Sequence, residues 1–555
     1  MRAVLDFLLN DWLRVGELLQ RPRFAEHSAE TFGAVLDTCE RIARERYAPF
    51  NRLVDTEEPR FDGERVHLPR PVHEAWAAYA ESGMLAASQG PEVGGMQLPY
   101  VIESAGNAFF SKAAVSIGSY AMLTTGNANL LMAHGTPRQR EVFAQAEFEG
   151  RWAGTMCLSE PQAGSSLSDI ATRAMPDGDD FEADPLGPRH RLRGHKMWIS
   201  GGEHELTENI VHLVLAKVPA PDGRLPPGTK GISLFIVPKW RVDAHGRLTG
   251  ERNDVRLAGL NHKCGWRGTT NTLLNFGEAE GAVGYRVGAP GEGLRCMFHM
   301  MNEARIGVGM GAAMLAMAGY EASLAYARQR PQGRPMGAGG KDASQPQVPI
   351  VQHADVKRML LAQKAYAEGA LALLLYCARL VDESHTADAD AAREATQLLE
   401  LLTPIAKSWP SEWGLEANSL AIQVHGGYGY TRDFPVEQHW RDNRLNMIHE
   451  GTHGIQGLDL LGRKVLMDGG AALQRLATRV QHTITRAGQV QGLAEPASAL
   501  AGALQRLGAA TKAAWATGVP DEALANATPY LQAFGHVVIG WIWLDLALAS
   551  DDPGR

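Results

Sequence analysis

The chain has 555 residues, room for several domains at the usual ~150 residues each. Apolar residues make up 45% and charged residues 21%, the balance of an ordinary soluble globular protein. A net charge of -8 argues against a general nucleic-acid binder, because phosphate binding needs a clustered excess of Lys and Arg. The first residues, M-R-A-V-L-D-F-L-L-N-D-W-L, are apolar but interrupted by Asp6 and Asp11, unlike the unbroken apolar centre of a signal peptide. Helix-period apolar positions recur in E-T-F-G-A-V-L-D-T-C-E-R-I-A-R-E-R-Y and in V-H-E-A-W-A-A-Y-A-E-S-G-M-L, so residues 1–151 are predicted to form a helical domain.

From 152 to 285 the texture changes to short β-rich runs, R-L-R-G-H-K-M-W-I-S, I-V-H-L-V-L-A-K-V, G-I-S-L-F-I-V-P and N-T-L-L-N-F. Clusters of Gly, Pro, Asp and Asn separate them, which predicts an antiparallel β-barrel domain. Helical texture returns over 286–466, a predicted four-helix bundle broken by a Gly- and Pro-rich loop at 331–349. An Ala- and Leu-rich helical appendix follows over 467–555. The fold class expected is therefore α+β and multidomain. The most apolar run, V-V-I-G-W-I-W-L at 537–544, is far shorter than the ~20 residues of a membrane span and predicts a buried helix. Gly307-Val308-Gly309-Met310-Gly311-Ala312 imitates a dinucleotide fingerprint. No strand precedes it, and small residues for helix packing explain it better.

Five scattered cysteines (Cys39, Cys157, Cys264, Cys296, Cys377) include no C-x-x-C and suit a reducing compartment, which places the protein in the cytoplasm. His449-Glu450-x-x-His453 has the letter pattern of a zinc hydrolase. That pattern requires an unbroken helix, however, and Gly451 and Gly454 fall in and beside it. Ile455, Leu458, Leu461 and Val465 instead describe a helix starting near Thr452, so Glu450 ends the preceding loop. No metal site is expected. A carboxylate there, in a partly dry pocket, has a pKa raised toward that of a general base.

Other segments give this carboxylate a context. M-C-L-S-E-P-Q-A-G-S-S-L-S-D-I-A-T-R-A (156–174) precedes K-M-W-I-S-G-G (196–202), and Q-V-H-G-G-Y-G-Y-T-R-D-F-P-V-E-Q-H-W-R-D (423–442) precedes H-E-G-T. This ordered set resembles the acyl-CoA dehydrogenase family, with its [TS]-E-P-x-A-G-S, K-x-W-I-[ST], G-G-x-G and E-G-T signatures, over about 30–466. The extra head and tail look like the long subgroup that includes 3-(methylthio)propanoyl-CoA dehydrogenases.

The resemblance implies FAD, placed in the family between β-domain and bundle. Met156, Leu158 and Ser159 would bond the isoalloxazine edge, Trp198 would lie on its face, and Ser165, Ser200 and Thr452 would touch the cofactor. Arg330, Gln352, Gln423 and the Gly426-Gly427 turn of a neighbouring subunit would grip its pyrophosphate and adenosine, which implies a homodimer or homotetramer. Ser165, Asn302, Arg305 and Gly451 would meet the acyl-CoA substrate. Glu450 would take the α-proton while the β-hydrogen leaves as hydride to the flavin, giving a trans-2-enoyl-CoA, and an electron-transfer flavoprotein would receive the electrons. Two departures are His449, where the family often has Tyr, and a long 331–349 loop without the usual Phe-Gly. The competing readings are an alkylation-response flavoprotein that binds DNA, which the acidic chain and its charge-balanced tail disfavour, and the zinc hydrolase.

Overall fold

The computed structural model describes residues 1–220 and 222–550, apart from the side chains of 299–302. The chain divides into two compact units. One comprises residues 1–36, 99–112 and 305–555, the other residues 37–98 and 113–304.

The N-terminal helices include α1 (Ala29–Ile42), α2 (Arg70–Glu81) and α3 (Tyr100–His134). Helix α2 carries Pro71 in its first turn, where no helical hydrogen bond is lost, and buries Val72, Ala75, Trp76 and Tyr79 at three- and four-residue spacing. Helix α3 is interrupted at Ala114, whose backbone is extended. A two-stranded ribbon, Arg60–Phe61 with Val66–His67, was not expected in this helical stretch.

The β-rich unit is built on eight strands: β1 (Trp152–Cys157), β2 (Arg173–Pro176), β3 (Arg189–Ser200), β4 (Asn209–Lys217), β5 (Ile232–Pro238), β6 (Val255–Leu260), β7 (Asn271–Phe276) and β8 (Ala282–Val287). Their order is β6-β7-β3-β8-β5-β4-β1, with β2 joining β3 and β4. Every residue of β4 is buried. Val211, Leu213 and Leu215 pack with Phe143, Trp152 and Ile236 on one face, while Val214 and Ala216 pack with Leu192, Phe235 and Phe276 on the other. The sheet is not wholly antiparallel as expected, because β1 pairs with β4 in parallel, Trp152 opposite Asn209. A long connection, 158–172, carries the chain from β1 to β2. Two reversals, into β3 and into β4, then restore the direction of β1. Apolar runs mark strands but not their direction.

Three long helices, α4 (Gly293–Gln329), α5 (Ala354–Thr386) and α6 (Ala389–His425), make up much of the helical unit, which takes α4 from Arg305 onward. A Cβ at Gly309 would lie 2.1 Å from the carbonyl oxygen of Ala406, and one at Gly414 would lie 2.9 Å from that of Ala312. The glycine-rich run is thus a close crossing of α4 over α6, as expected, inside one continuous helix. Helices α7 (Val436–Arg444) and α8 (His453–Gly462) follow, then the tail helices α9 (Ala471–Ala487), α10 (Ala494–Ala514) and α11 (Ala527–Ala549).

The apolar run 537–544 is part of α11, which has 23 residues and is the one helix among the described residues long and apolar enough to cross a membrane. It behaves as a core helix. Phe534, Val538 and Ile542 are buried. Asp545 accepts bonds from Thr483 Oγ1 at 2.9 Å and Trp12 Nε1 at 2.8 Å, which tie α11 to α9 and to the N-terminal segment.

Candidate functional site

In the β-rich unit the motif residues gather where β3 bulges. Strand β7 pairs Thr272 with Ile199 but Leu274 with Lys196, so Met197 and Trp198 together face one residue of β7. Such a bulge turns a side chain out of the sheet's alternation. Trp198 takes φ +66 and leaves its indole 59% exposed. A bulky residue rarely accepts left-handed backbone, and such strain clusters at sites of function. The segment after β1 is fastened to the same strand. Lys196 Nζ donates to the carbonyl of Leu158 at 2.9 Å and to Glu160 Oε1 at 2.9 Å, and Met197 N donates to the carbonyl of Ser159 at 3.0 Å. Met156, Leu158 and Ser159 are half-buried, Ser165 is exposed, and Ser200 accepts a bond from Asn271 Nδ2 at 3.4 Å. Strand β1 ends the strand order, but Gly154 N donates to Thr124 Oγ1 and the Thr155 carbonyl accepts from Asn127 Nδ2, so the half-buried backbone at Met156, Leu158 and Ser159 is what remains for a ligand.

In the helical unit, Glu450 and Gly451 both take left-handed backbone, φ +53 and φ +87. The H-E-x-x-H residues therefore do not share a helix face. Helix α8 begins at His453, with Thr452 Oγ1 capping Ile455 N at 3.4 Å, close to the expected start. Gly451 is favoured twice over: its φ suits glycine, and a Cβ there would sit 2.6 Å from Gln456 Nε2 and displace it from the Glu450 carbonyl. The loop is secured from both sides. Gln456 Nε2 donates to the carbonyl of Glu450 at 2.8 Å, and Lys407 Nζ to that of Gly451 at 2.6 Å.

Burial pushes the Glu450 carboxyl up from its ordinary value, opposed by the charges of Arg305 and Lys407. His449 is tied by Nε2 to Asn446 Oδ1 at 3.0 Å, and burial together with Lys407 pushes its pKa down to about 3. It is a neutral member of a chain of amides through Asn446, Asn443 and Asn418 to the carbonyl of Leu315.

Arg305 is buried and donates to Asp459 Oδ2 at 3.1 Å, whose other oxygen takes Arg463. Arg330 lies 5.5 Å over the ring of Tyr428, beside the exposed Gly426-Gly427 turn. Gln352 and Gln423 are exposed. Asn302 belongs to α4, with its side chain outside the described residues. A flavin dinucleotide needs a flat apolar surface, backbone groups at a ring edge and a cationic, glycine-lined place for phosphates. The exposed indole of Trp198, the half-buried segment at the end of β1, and Arg330 near two glycines with nothing within 4 Å of an added Cβ fit those needs.

Comparison with known proteins decides the family. Residues 30–150 match the profile of the acyl-CoA dehydrogenase N-terminal domain, residues 291–466 that of the acyl-CoA dehydrogenase C-terminal domain, and residues 476–553 that of the acetyl-CoA dehydrogenase C-terminal-like domain. A 3-methylmercaptopropionyl-CoA dehydrogenase of Ruegeria pomeroyi is 37% identical over 98% of this chain and 89% of its own. The chain belongs to the acyl-CoA dehydrogenase family. A broad-specificity linear acyl-CoA dehydrogenase of Mycobacterium tuberculosis is 32% identical over 99% of this chain and 90% of its own. The fold matches that of a Bacillus anthracis acyl-CoA dehydrogenase complexed with FAD, with TM-score 0.74 and 20% identity over 98% of this chain and 85% of that one. Members of the family are FAD-dependent oxidoreductases acting on acyl-CoA.

Lys407, Gln456, Lys196 and Glu160 had no role in the sequence reading. Lys196 and Glu160 stand inside the K-M-W-I-S and S-E-P motifs. Lys407 was visible as a lone cation in the apolar run L-L-T-P-I-A-K-S-W-P.

Proposed function

We propose that this acyl-CoA dehydrogenase removes the α- and β-hydrogens of an acyl-CoA thioester, giving the trans-2-enoyl-CoA, with Glu450 as the base and an electron-transfer flavoprotein as electron acceptor. The observation that carries the reading is Glu450 itself: a carboxylate in left-handed backbone just before the capped start of α8, with its pKa raised by burial. A raised carboxyl is a stronger base once ionised, and Arg305 and Lys407 keep its ionised form accessible. FAD, when bound, supplies the acceptor for the β-hydrogen. Met156, Leu158, Ser159 and Ser200 would hold the ring edge, Trp198 its face, and Ser165 and Thr452 its flanks. Arg330, Gln352, Gln423, Gly426 and Gly427 would hold the dinucleotide of a neighbouring subunit in a homo-oligomer. The backbone N–H of Glu450 is the donor for the thioester carbonyl, whose polarisation acidifies the α-carbon. Ser165, Asn302, Arg305 and Gly451 would complete the acyl-CoA contacts.

The name of the 37% identical relative supports 3-(methylthio)propanoyl-CoA as a substrate. The five cysteines, all free, suit the cytoplasm as the place of reaction. The test is Glu450→Gln, purified with FAD and mixed without oxygen with straight-chain, branched and methylthio acyl-CoAs. The wild type bleaches with at least one of them, and the variant keeps its yellow cofactor but bleaches with none. Bleaching of the variant at the wild-type rate removes Glu450 as the base.

A further inference from the structure

A base that must meet a C–H bond at one angle needs more than the right pKa. Left-handed backbone at Glu450 is not self-supporting, since a non-glycine residue relaxes out of it unless its surroundings hold it there. Two side chains do so, each from a different helix. Gln456, fully buried in α8, reaches back to the carbonyl of Glu450, and Lys407, fully buried in α6, reaches across to the carbonyl of Gly451. We propose that Lys407 and Gln456 are positioning residues for Glu450, which aim its carboxylate and its backbone N–H by holding the two successive carbonyls of the loop. The inference rests on the reading of Glu450 as the base.

Lys407 is the less expected of the pair. It lies between Pro404 and Pro410 on α6 with Ile405, Ala406 and Trp409 buried around it. An ammonium there pays heavily in lost hydration unless it meets an acceptor and an opposite charge. The carbonyl of Gly451 is the acceptor, and Glu450 is the charge that acts on it. Burial pushes its pKa down to about 8 while Glu450 holds it up, so it stays charged at neutral pH.

Among the described residues, the charges that act on Glu450 are those of Arg305 and Lys407. Arg305 of α4 also favours the ionised carboxylate, but its guanidinium is engaged by Asp459. Lys464 after α8 pairs with Glu400. His449 and His453 flank the base and are neutral, pushed down to about 3 and about 4 by burial and by Lys407. Lys407 is thus the cation that both fixes the loop and stabilises the base form, whereas Gln456 fixes the loop without adding charge.

The two roles separate experimentally. FAD-loaded wild type, Lys407→Met, Lys407→Arg, Gln456→Leu and Glu450→Gln are mixed in a stopped-flow instrument. The probe is butyryl-CoA or 3-(methylthio)propanoyl-CoA, whichever reduces the wild type faster. Lys407→Met is expected to slow flavin reduction at least about tenfold, with the thioester Kd changed less than about threefold. Its acid limb should move upward by about half a pH unit or more, since a facing positive charge is gone. Lys407→Arg keeps the charge and returns the limb toward its wild-type position. Gln456→Leu slows reduction several-fold, by about 3 to 10, with the limb unmoved. A slowed Lys407→Met whose limb stays in place reduces Lys407 to packing and overturns the inference, as do wild-type rates in both Lys407→Met and Gln456→Leu. Should Lys407→Met lose its flavin, Gln456→Leu decides alone: slow with full flavin supports the inference, and unchanged overturns it. The Glu450→Gln arm separates the two claims, because bleaching there removes the base itself, whatever the other variants do.

Discussion

Lys196 and Glu160 form an ion pair at 2.9 Å whose side chains are 0% and 3% exposed. Glu160 also accepts from Ala171 N at 2.7 Å and from Thr172 N and Oγ1 at 3.1 and 2.6 Å, so its carboxylate is fully engaged. The same ammonium donates to the carbonyl of Leu158. One buried pair therefore fixes the segment leaving β1 against the strand that carries Trp198. In this chain the S-E-P motif supplies the anion and the K-M-W motif the cation of a single joint.

Removing one partner of such a pair leaves the other buried and uncompensated, which costs about 3–5 kcal/mol. Lys196→Met is expected to lower the unfolding free energy by that order in denaturant titrations. Its FAD content after purification should fall, because the backbone of Leu158 and Ser159 is no longer anchored. The double variant Lys196→Met with Glu160→Leu should recover much of the stability but not the flavin. Equal loss in the single and double variants counts against the pair as the origin.

Trp198 offers the opposite separation, a residue whose loss leaves the fold intact. Glycine accepts φ +66 freely, so Trp198→Gly relieves backbone strain while deleting an indole that is 59% exposed. Unfolding free energy should change by less than about 1 kcal/mol. FAD affinity, read from the fluorescence of released flavin, should fall at least about tenfold if the indole covers the ring face. Unchanged affinity would show that the exposed ring has no part in flavin binding.

Much of this was legible in the sequence, and for definite reasons. Gly451 marked the break in H-E-x-x-H, whereas Gly454, read as a second breaker, is the second residue of α8, and the spacing of Ile455, Leu458 and Leu461 placed the start of α8 within a residue of its observed cap at Thr452. The fully buried β4 was visible as I-V-H-L-V-L-A-K because a strand covered on both faces is a continuous apolar run. The parallel pairing of β1 with β4 was not visible, since apolar pattern carries no direction. Lys407 escaped notice because its partner is a backbone carbonyl 44 residues away, and carbonyls have no letter of their own. The left-handed turn of Trp198 was hidden likewise, as a bulge depends on the register with β7 rather than on local composition.

Asp382 makes stability depend on pH. It accepts bonds from Tyr100 N at 2.7 Å and Val101 N at 3.0 Å at the start of α3, yet burial raises its pKa to about 7 against the pull of those bonds and of Arg379. Unfolding returns it to about 3.9, so between about pH 4 and 7 the folded state binds more protons than the unfolded state. Stability contributed by this group is therefore full below about pH 4 and declines as pH rises to about 7, by an amount on the order of a few kcal/mol. Asp382→Asn should flatten the unfolding free energy across that window. A slope identical to wild type assigns the dependence to other groups.

The two glycines at the end of α6 separate folding from binding within one dipeptide. Gly426 takes φ +62 and ψ -138, a conformation closed to side-chain-bearing residues, whereas Gly427 has no positive φ, and a Cβ on either meets nothing within 4 Å. Gly426→Ala should therefore destabilise the protein by about 1–3 kcal/mol through the backbone alone. Gly427→Ala has neither strain nor clash inside the chain and should fold within about 0.5 kcal/mol of wild type. Any need for glycine at 427 must then come from outside the chain, from a group that approaches its backbone more closely than a methyl allows. A phosphate beside Arg330 is such a group, so Gly427→Ala is expected to weaken FAD binding at unchanged unfolding free energy. Calorimetric titration of the flavin-free protein with FAD and with riboflavin checks this: the loss should appear for FAD and be absent for riboflavin, which has no phosphate. An equal loss for both would place the contact on the ring system and away from the pyrophosphate.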